Sequence, residues 1–111
     1  MDFNLYQTIS ERTLPIGKTN NELLTNFALG LTGESGECAD YIKKVVFHGH
    51  DLDLFKIESE LGDVLWYVSA IATTLGINLE DVAYSNFEKL SKRYSDGFSE
   101  EASKARVDAN E

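Results

Sequence analysis

Apolar residues fall along this chain at helical rather than strand spacing, and the breaks between apolar blocks carry turn and cap chemistry. Leu5, Ile9 and Thr13 suit a short helix from Asn4 to about Thr13, which Leu14-Pro15-Ile16-Gly17 ends. Thr19-Asn20-Asn21-Glu22 reads as a capping box, in which the Thr19 hydroxyl accepts from the Glu22 backbone while Glu22 reaches back. The long helix predicted next has Leu23, Phe27, Leu31, Cys38, Ile42 and Val45 or Val46 as its apolar stripe, with Glu34 and Ser35 interrupting where an apolar residue is due. Residues 48–53 form a connecting loop ending in Asp53, an N-cap. The helix after it carries Ile57, Leu61, Val64, Leu65, Val68, Ile71, Ala72 and Leu75, and Gly76 closes it. Asn78 caps a fourth helix with Asp81 in its first turn; Leu79, Val82, Ala83, Phe87, Leu90 and Tyr94 line its apolar side, and Asp96-Gly97 stops it. No segment sustains strand alternation. The predicted fold class is all-α, a four-helix arrangement in which a short loop makes the two long central helices antiparallel. Residues 1–98 form one domain, and 99–111 a polar tail that frays or is borrowed by a neighbouring subunit.

Charge and composition narrow the partners. A net charge of −9 over 111 residues argues against a direct grip on nucleic acid or an anionic membrane, both of which need clustered Lys and Arg. No run approaches the ~18 apolar residues of a membrane span, and Met1-Asp2-Phe3-Asn4 has no leader pattern, so a cytoplasmic protein is expected. The one cysteine, Cys38, rules out an internal disulfide and reads as a small core residue.

Against this background two acidic pairs stand out, Glu34-Ser-Gly-Glu37 and Glu60-Leu-Gly-Asp63, each set within apolar, core-like segments. Residues three apart share a helix face, so each pair is a two-carboxylate claw. Antiparallel packing would turn the claws toward each other. Buried carboxylates require a partner or a metal, and Mg²⁺ favours oxygen ligands combined with water and substrate phosphates. Gly30, Gly33, Gly36 and Gly62 accompany the acids, each at a helix-propensity cost of about 0.8–1 kcal/mol, which close approach of a helix or ligand would offset. Asn86, Lys89 and Arg93 form a polar stripe on the fourth helix, where Lys and Arg four apart can reach one oxyanion. His48 and His50 lack zinc-ligand company and read as loop residues; Lys43 and Lys44 read as exposed. Trp66, Tyr67, Phe3 and Tyr6 suit a core, with base stacking as the second reading.

The strings GESGECADYIKK, ELGDVLWYV and NFEKLSKRYSDGF resemble those of the MazG-type nucleoside triphosphate pyrophosphohydrolases, over about Thr25 to Phe98. The resemblance implies that Glu34, Glu37, Glu60 and Asp63 ligate Mg²⁺, with Mn²⁺ able to substitute, and that Lys89 and Arg93, supported by Asn86, hold the triphosphate. It further implies cleavage of an NTP or dNTP to a monophosphate and pyrophosphate in nucleotide-pool house-cleaning, by a homodimer or homotetramer whose sites draw on more than one chain. Ser59 stands where some relatives have Glu, a peripheral departure. Glu34 is the choice for orienting the attacking water.

Two readings remain beside this one. A non-enzymatic oligomeric helical interaction module would leave the acids as surface decoration and give no divalent-metal response, and a narrow-substrate relative would act on dUTP, dCTP or phosphoribosyl-ATP. A di-iron bundle is disfavoured, because neither acidic pair has His at i+3.

Overall fold

The computed structural model describes residues 1–110, with side chains through Asp108. Five α-helices follow one another: α1 (Phe3–Glu11), α2 (Asn20–Phe47), α3 (Leu54–Thr74), α4 (Leu79–Arg93) and α5 (Glu100–Ala105), then a 3-10 turn, Val107–Asn110; no strand forms among the described residues. The caps follow from local chemistry. Asp2 accepts from Leu5 N at 2.7 Å and starts α1 one residue before the expected Asn4. The capping box is formed at both ends, Glu22 N donating to Thr19 Oγ1 at 3.1 Å and Thr19 N to Glu22 Oε1 at 3.2 Å. Asp53 accepts from Phe55 N and Lys56 N. At the end of α3, Gly76 adopts φ +72°, and Ile77 N donates to Ala72 O at 2.8 Å while Gly76 N donates to Thr73 O at 3.1 Å, the paired bonds of a left-handed helix stop.

Asn78 differs from expectation. Its side chain makes no cap bond, and Gln7 Oε1 on α1 instead accepts from Leu79 N at 2.8 Å. The same amide donates to Thr73 Oγ1 and to Ile77 O, so one glutamine ties α1 to the α3–α4 turn.

The long helices α2 and α3 are antiparallel. Phe27, early in α2, meets Trp66, late in α3, edge-on at 5.6 Å, while Tyr41, late in α2, lies under Lys56, early in α3. Trp66 and Tyr67 are thus helix-packing residues, as the first of their two readings has it, and Trp66 Nε1 donates to Thr13 Oγ1 at 2.8 Å. One glycine's close approach is realised: a Cβ on Gly30 would strike the Tyr67 ring, whereas Gly33, Gly36 and Gly62 face open space in the single chain.

The core of one chain is thin. Phe27, Tyr41, Ala70, Ala72 and Leu79 are its buried hydrophobic residues, while Phe87 on the expected apolar side of α4 is 61% exposed. A radius of gyration of 17.0 Å exceeds the about 13 Å of a compact chain this long. Its accessible surface of 8138 Å² likewise exceeds the roughly 6,100 Å² of a compact monomer of this mass. The stripes are where the sequence places them, but in one chain much of their apolar surface is open.

Segment 99–111 also departs from expectation. Instead of fraying, it forms α5, whose N-cap Ser99 accepts from Ala102 N at 3.0 Å, and then turns back so that Asp108 meets α4.

Candidate metal centre

The acidic cluster sits on the facing sides of α2 and α3, midway between the aromatic contact at Phe27 and the connecting loop. Glu34, Glu37 and Glu60 each bring a carboxylate oxygen within 4.8 Å of the others. Glu34 Oε2 and Glu60 Oε2 are buried and have no hydrogen-bond partner. Such orphaned acceptors are costly unless something supplies positive charge. An all-carboxylate donor set suits a hard divalent cation, so the residues present fit one. Asp63 lies outside the trio, one turn along α3 from Glu60. Its charge nevertheless reaches the cluster, since it helps to raise Glu34 and also the Tyr6 hydroxyl, which burial raises first. The Glu34 carboxyl is held above the ordinary glutamate range, first by burial, then by the charges of Glu37 and Asp63, a hydrogen bond with Glu37 and the charge of Glu60.

The fourth-helix stripe is placed elsewhere. Asn86 and Lys89 line a cavity of about 590 Å³ walled by Phe3, Leu65 and Val68, with none of the four acids in its lining. Arg93 is committed within the chain: its Nε and Nη2 donate to Asp108 Oδ1 and Oδ2 at 2.7 and 2.8 Å, and the Asp108 side chain is 2% exposed. The fork holds the Asp108 carboxyl below the usual carboxylate range. The sequence expectation of a guanidinium free to clamp phosphate therefore does not describe this chain.

Residues 23–98 match the family model of the MazG nucleotide pyrophosphohydrolase domain, which contains all four acids and the α4 stripe. The chain belongs to the MazG nucleotide pyrophosphohydrolase family. It is also 37% identical over 82 residues to the Gene 37 protein of Mycobacterium phage L5, covering 68% of this chain and 70% of that protein. No solved structure matches it significantly. MazG proteins generally use a divalent metal, and the acidic cluster provides a place for one in this chain. No helix among the described residues is long and apolar enough to cross a membrane.

Two residues near this MazG acidic cluster escaped the sequence reading. Tyr41 is buried, accepts from Asp53 N at 2.7 Å and donates to Asp51 O at 3.0 Å, so it pins the connecting loop to α2. Lys56 stacks its ammonium 4.6 Å from the centre of the Tyr41 ring. Both had a signal: Tyr41 follows Glu37 by four residues and Lys56 precedes Glu60 by four, which puts each on its acid's helix face. The Arg93–Asp108 pair had none, because nothing local links positions so far apart.

Proposed function

We propose that this protein is a divalent-metal-dependent nucleoside triphosphate pyrophosphohydrolase. In this reading Glu34, Glu37, Glu60 and Asp63 hold Mg²⁺, and water adds across the α–β anhydride. The water oxygen bonds to the α-phosphorus, the bridging oxygen leaves with the β-phosphorus, and the products are a nucleoside monophosphate and pyrophosphate. The observation that carries it is the pair of buried, unpartnered oxygens Glu34 Oε2 and Glu60 Oε2 on facing helices. A cation bound there would supply positive charge to the triphosphate oxygens and to the departing pyrophosphate. Glu34 orients the attacking water and takes its proton, a role favoured by a carboxyl already biased toward protonation. Glu37, Glu60 and Asp63 act as ligands.

Asn86 and Lys89 approach the substrate from a neighbouring copy of the chain, with Arg93 held back by Asp108. The support is twofold: they share no cavity with the acids of their own chain, and one chain exposes an excess of roughly 2,000 Å² over a compact monomer. That excess is the scale of surface an obligate homodimer or tetramer covers. The physiological role is cleansing of the cytoplasmic nucleotide pool.

The test is a panel of canonical and damaged nucleoside triphosphates incubated with Mg²⁺, with monophosphate and pyrophosphate both quantified. The two products in equal amounts, lost on Glu37→Gln, support the assignment, and a restricted panel response would identify a dUTP, dCTP or phosphoribosyl-ATP specialist. Release of orthophosphate alone, or full turnover by Glu37→Gln, defeats it and returns the chain to a helical interaction module.

A further inference from the structure

On the loop side of the acidic cluster the hairpin between α2 and α3 encloses a cavity of about 220 Å³. Glu37 and Glu60 form one wall, and Lys44, Lys56 and His50 stand on the other. These cations are held in place by identifiable contacts. Lys44 Nζ pairs with Asp40 Oδ2 at 2.9 Å while Lys43 Nζ pairs with Oδ1 of the same carboxylate at 3.3 Å, so one acid is set against two ammonium groups. Lys56 rests on the face of Tyr41, whose hydroxyl fastens the loop. Gly49, at φ +72°, turns the chain so that His50 N donates back to Lys44 O at 3.2 Å. A protein of net charge −9 thus concentrates positive side chains beside its most acidic spot.

The opposite side of the cluster differs in kind. Asp63 is the acid felt by Tyr6, and Tyr6, Phe3 and Leu65 line a mainly apolar cavity of about 430 Å³ beside α1. The acids therefore lie between an apolar end and a cationic end, matching the polarity of a molecule with an aromatic base at one end and a polyphosphate at the other.

We infer that the β- and γ-phosphates of the substrate, and the pyrophosphate product after cleavage, occupy the cavity of Lys44, Lys56 and His50, with the nucleoside directed toward α1. The inference rests on the proposed pyrophosphohydrolase reading and deepens it by giving the substrate a direction along the hairpin. Lys44 and Lys56 bind the phosphate oxygens that the carboxylates would otherwise repel.

The test is calorimetric titration of inorganic pyrophosphate, and separately of a nucleoside monophosphate, into the full chain in Mg²⁺. Lys44→Met and Lys56→Met each lose one charge-assisted contact, so pyrophosphate affinity should fall about tenfold or more. Monophosphate affinity should stay unchanged, Lys18→Met in the α1–α2 connection should bind both as wild type does, and Lys44→Arg and Lys56→Arg should recover most of the pyrophosphate affinity. Wild-type affinity for pyrophosphate in both Met variants overturns the inference, as does equal loss of both ligands with no recovery by Arg. Failure of the underlying reading is distinguishable: the wild-type protein would then release no pyrophosphate from any triphosphate.

Discussion

Gly30→Ala adds one methyl group where the Tyr67 ring already stands. The new Cβ would fall within contact distance of Tyr67 Cε1 and Cζ and 2.8 Å from its hydroxyl oxygen. The ring is not free to swing away, because Trp66 meets it edge-on at 5.1 Å and Phe27 flanks it at 6.3 Å. Overpacking of this kind costs about 1–3 kcal/mol, against a helix-propensity gain of about 0.8–1 kcal/mol, so the net effect runs from neutral to about 2 kcal/mol destabilising. Gly36→Ala makes the same backbone change in open space and should gain the propensity term alone. Subtracting one variant from the other cancels propensity and leaves the steric cost of the Tyr67 contact. Urea unfolding at one fixed protein concentration measures both, the concentration being fixed because association contributes to stability. A difference below about 0.5 kcal/mol, the scatter of ordinary surface substitutions, refutes the packing argument. If Gly36→Ala is instead strongly destabilising, another subunit approaches α2 there.

Three further outcomes follow. Tyr41→Phe keeps the ring under Lys56 but removes the acceptor of Asp53 N–H and the donor to Asp51 O, which should cost about 1–3 kcal/mol in denaturant unfolding; unchanged stability would show that the loop is not pinned by this hydroxyl. Because the folded protein raises the Glu34 pKa, that group's contribution is fully present below the ordinary glutamate range and is lost as pH rises through the raised value. In EDTA, the melting temperature of wild type relative to Glu34→Gln should therefore fall between mildly acidic and neutral pH, and a pH-independent difference contradicts the crowding of carboxylates. Asp108→Asn breaks the fork on Arg93, so hydrogen exchange in 100–108 should accelerate at neutral pH; equal protection in the variant would mean that other contacts hold the segment.

The helices were legible because each carries an apolar period bounded by its own stop and start chemistry, as in Thr19 with Glu22, Asp53, and Gly76. The trio Glu34, Glu37 and Glu60 was legible for a related reason: a short loop forces antiparallel packing, and i, i+3 acids on both helices then face each other. What the residues left hidden was chosen between distant positions. Gln7 takes the N-terminus of α4 from Asn78, and Asp108 takes Arg93, through contacts that no local spacing encodes. The burial of the apolar stripes was overread as well, since helical period marks a face that needs covering without saying whether the same chain covers it. Phe87 and Leu29, 61% and 69% exposed, show the consequence.

The central claim is that the orphaned oxygens of Glu34 and Glu60 belong to a divalent-cation site, and Mn²⁺ titration of the metal-free protein, followed by electron paramagnetic resonance of the unbound ion, tests it most directly. The account predicts saturable uptake by the wild-type chain that Mg²⁺ competes away and that Glu60→Gln sharply weakens. Uptake that is absent in the wild type, or unaltered in Glu60→Gln, would contradict it.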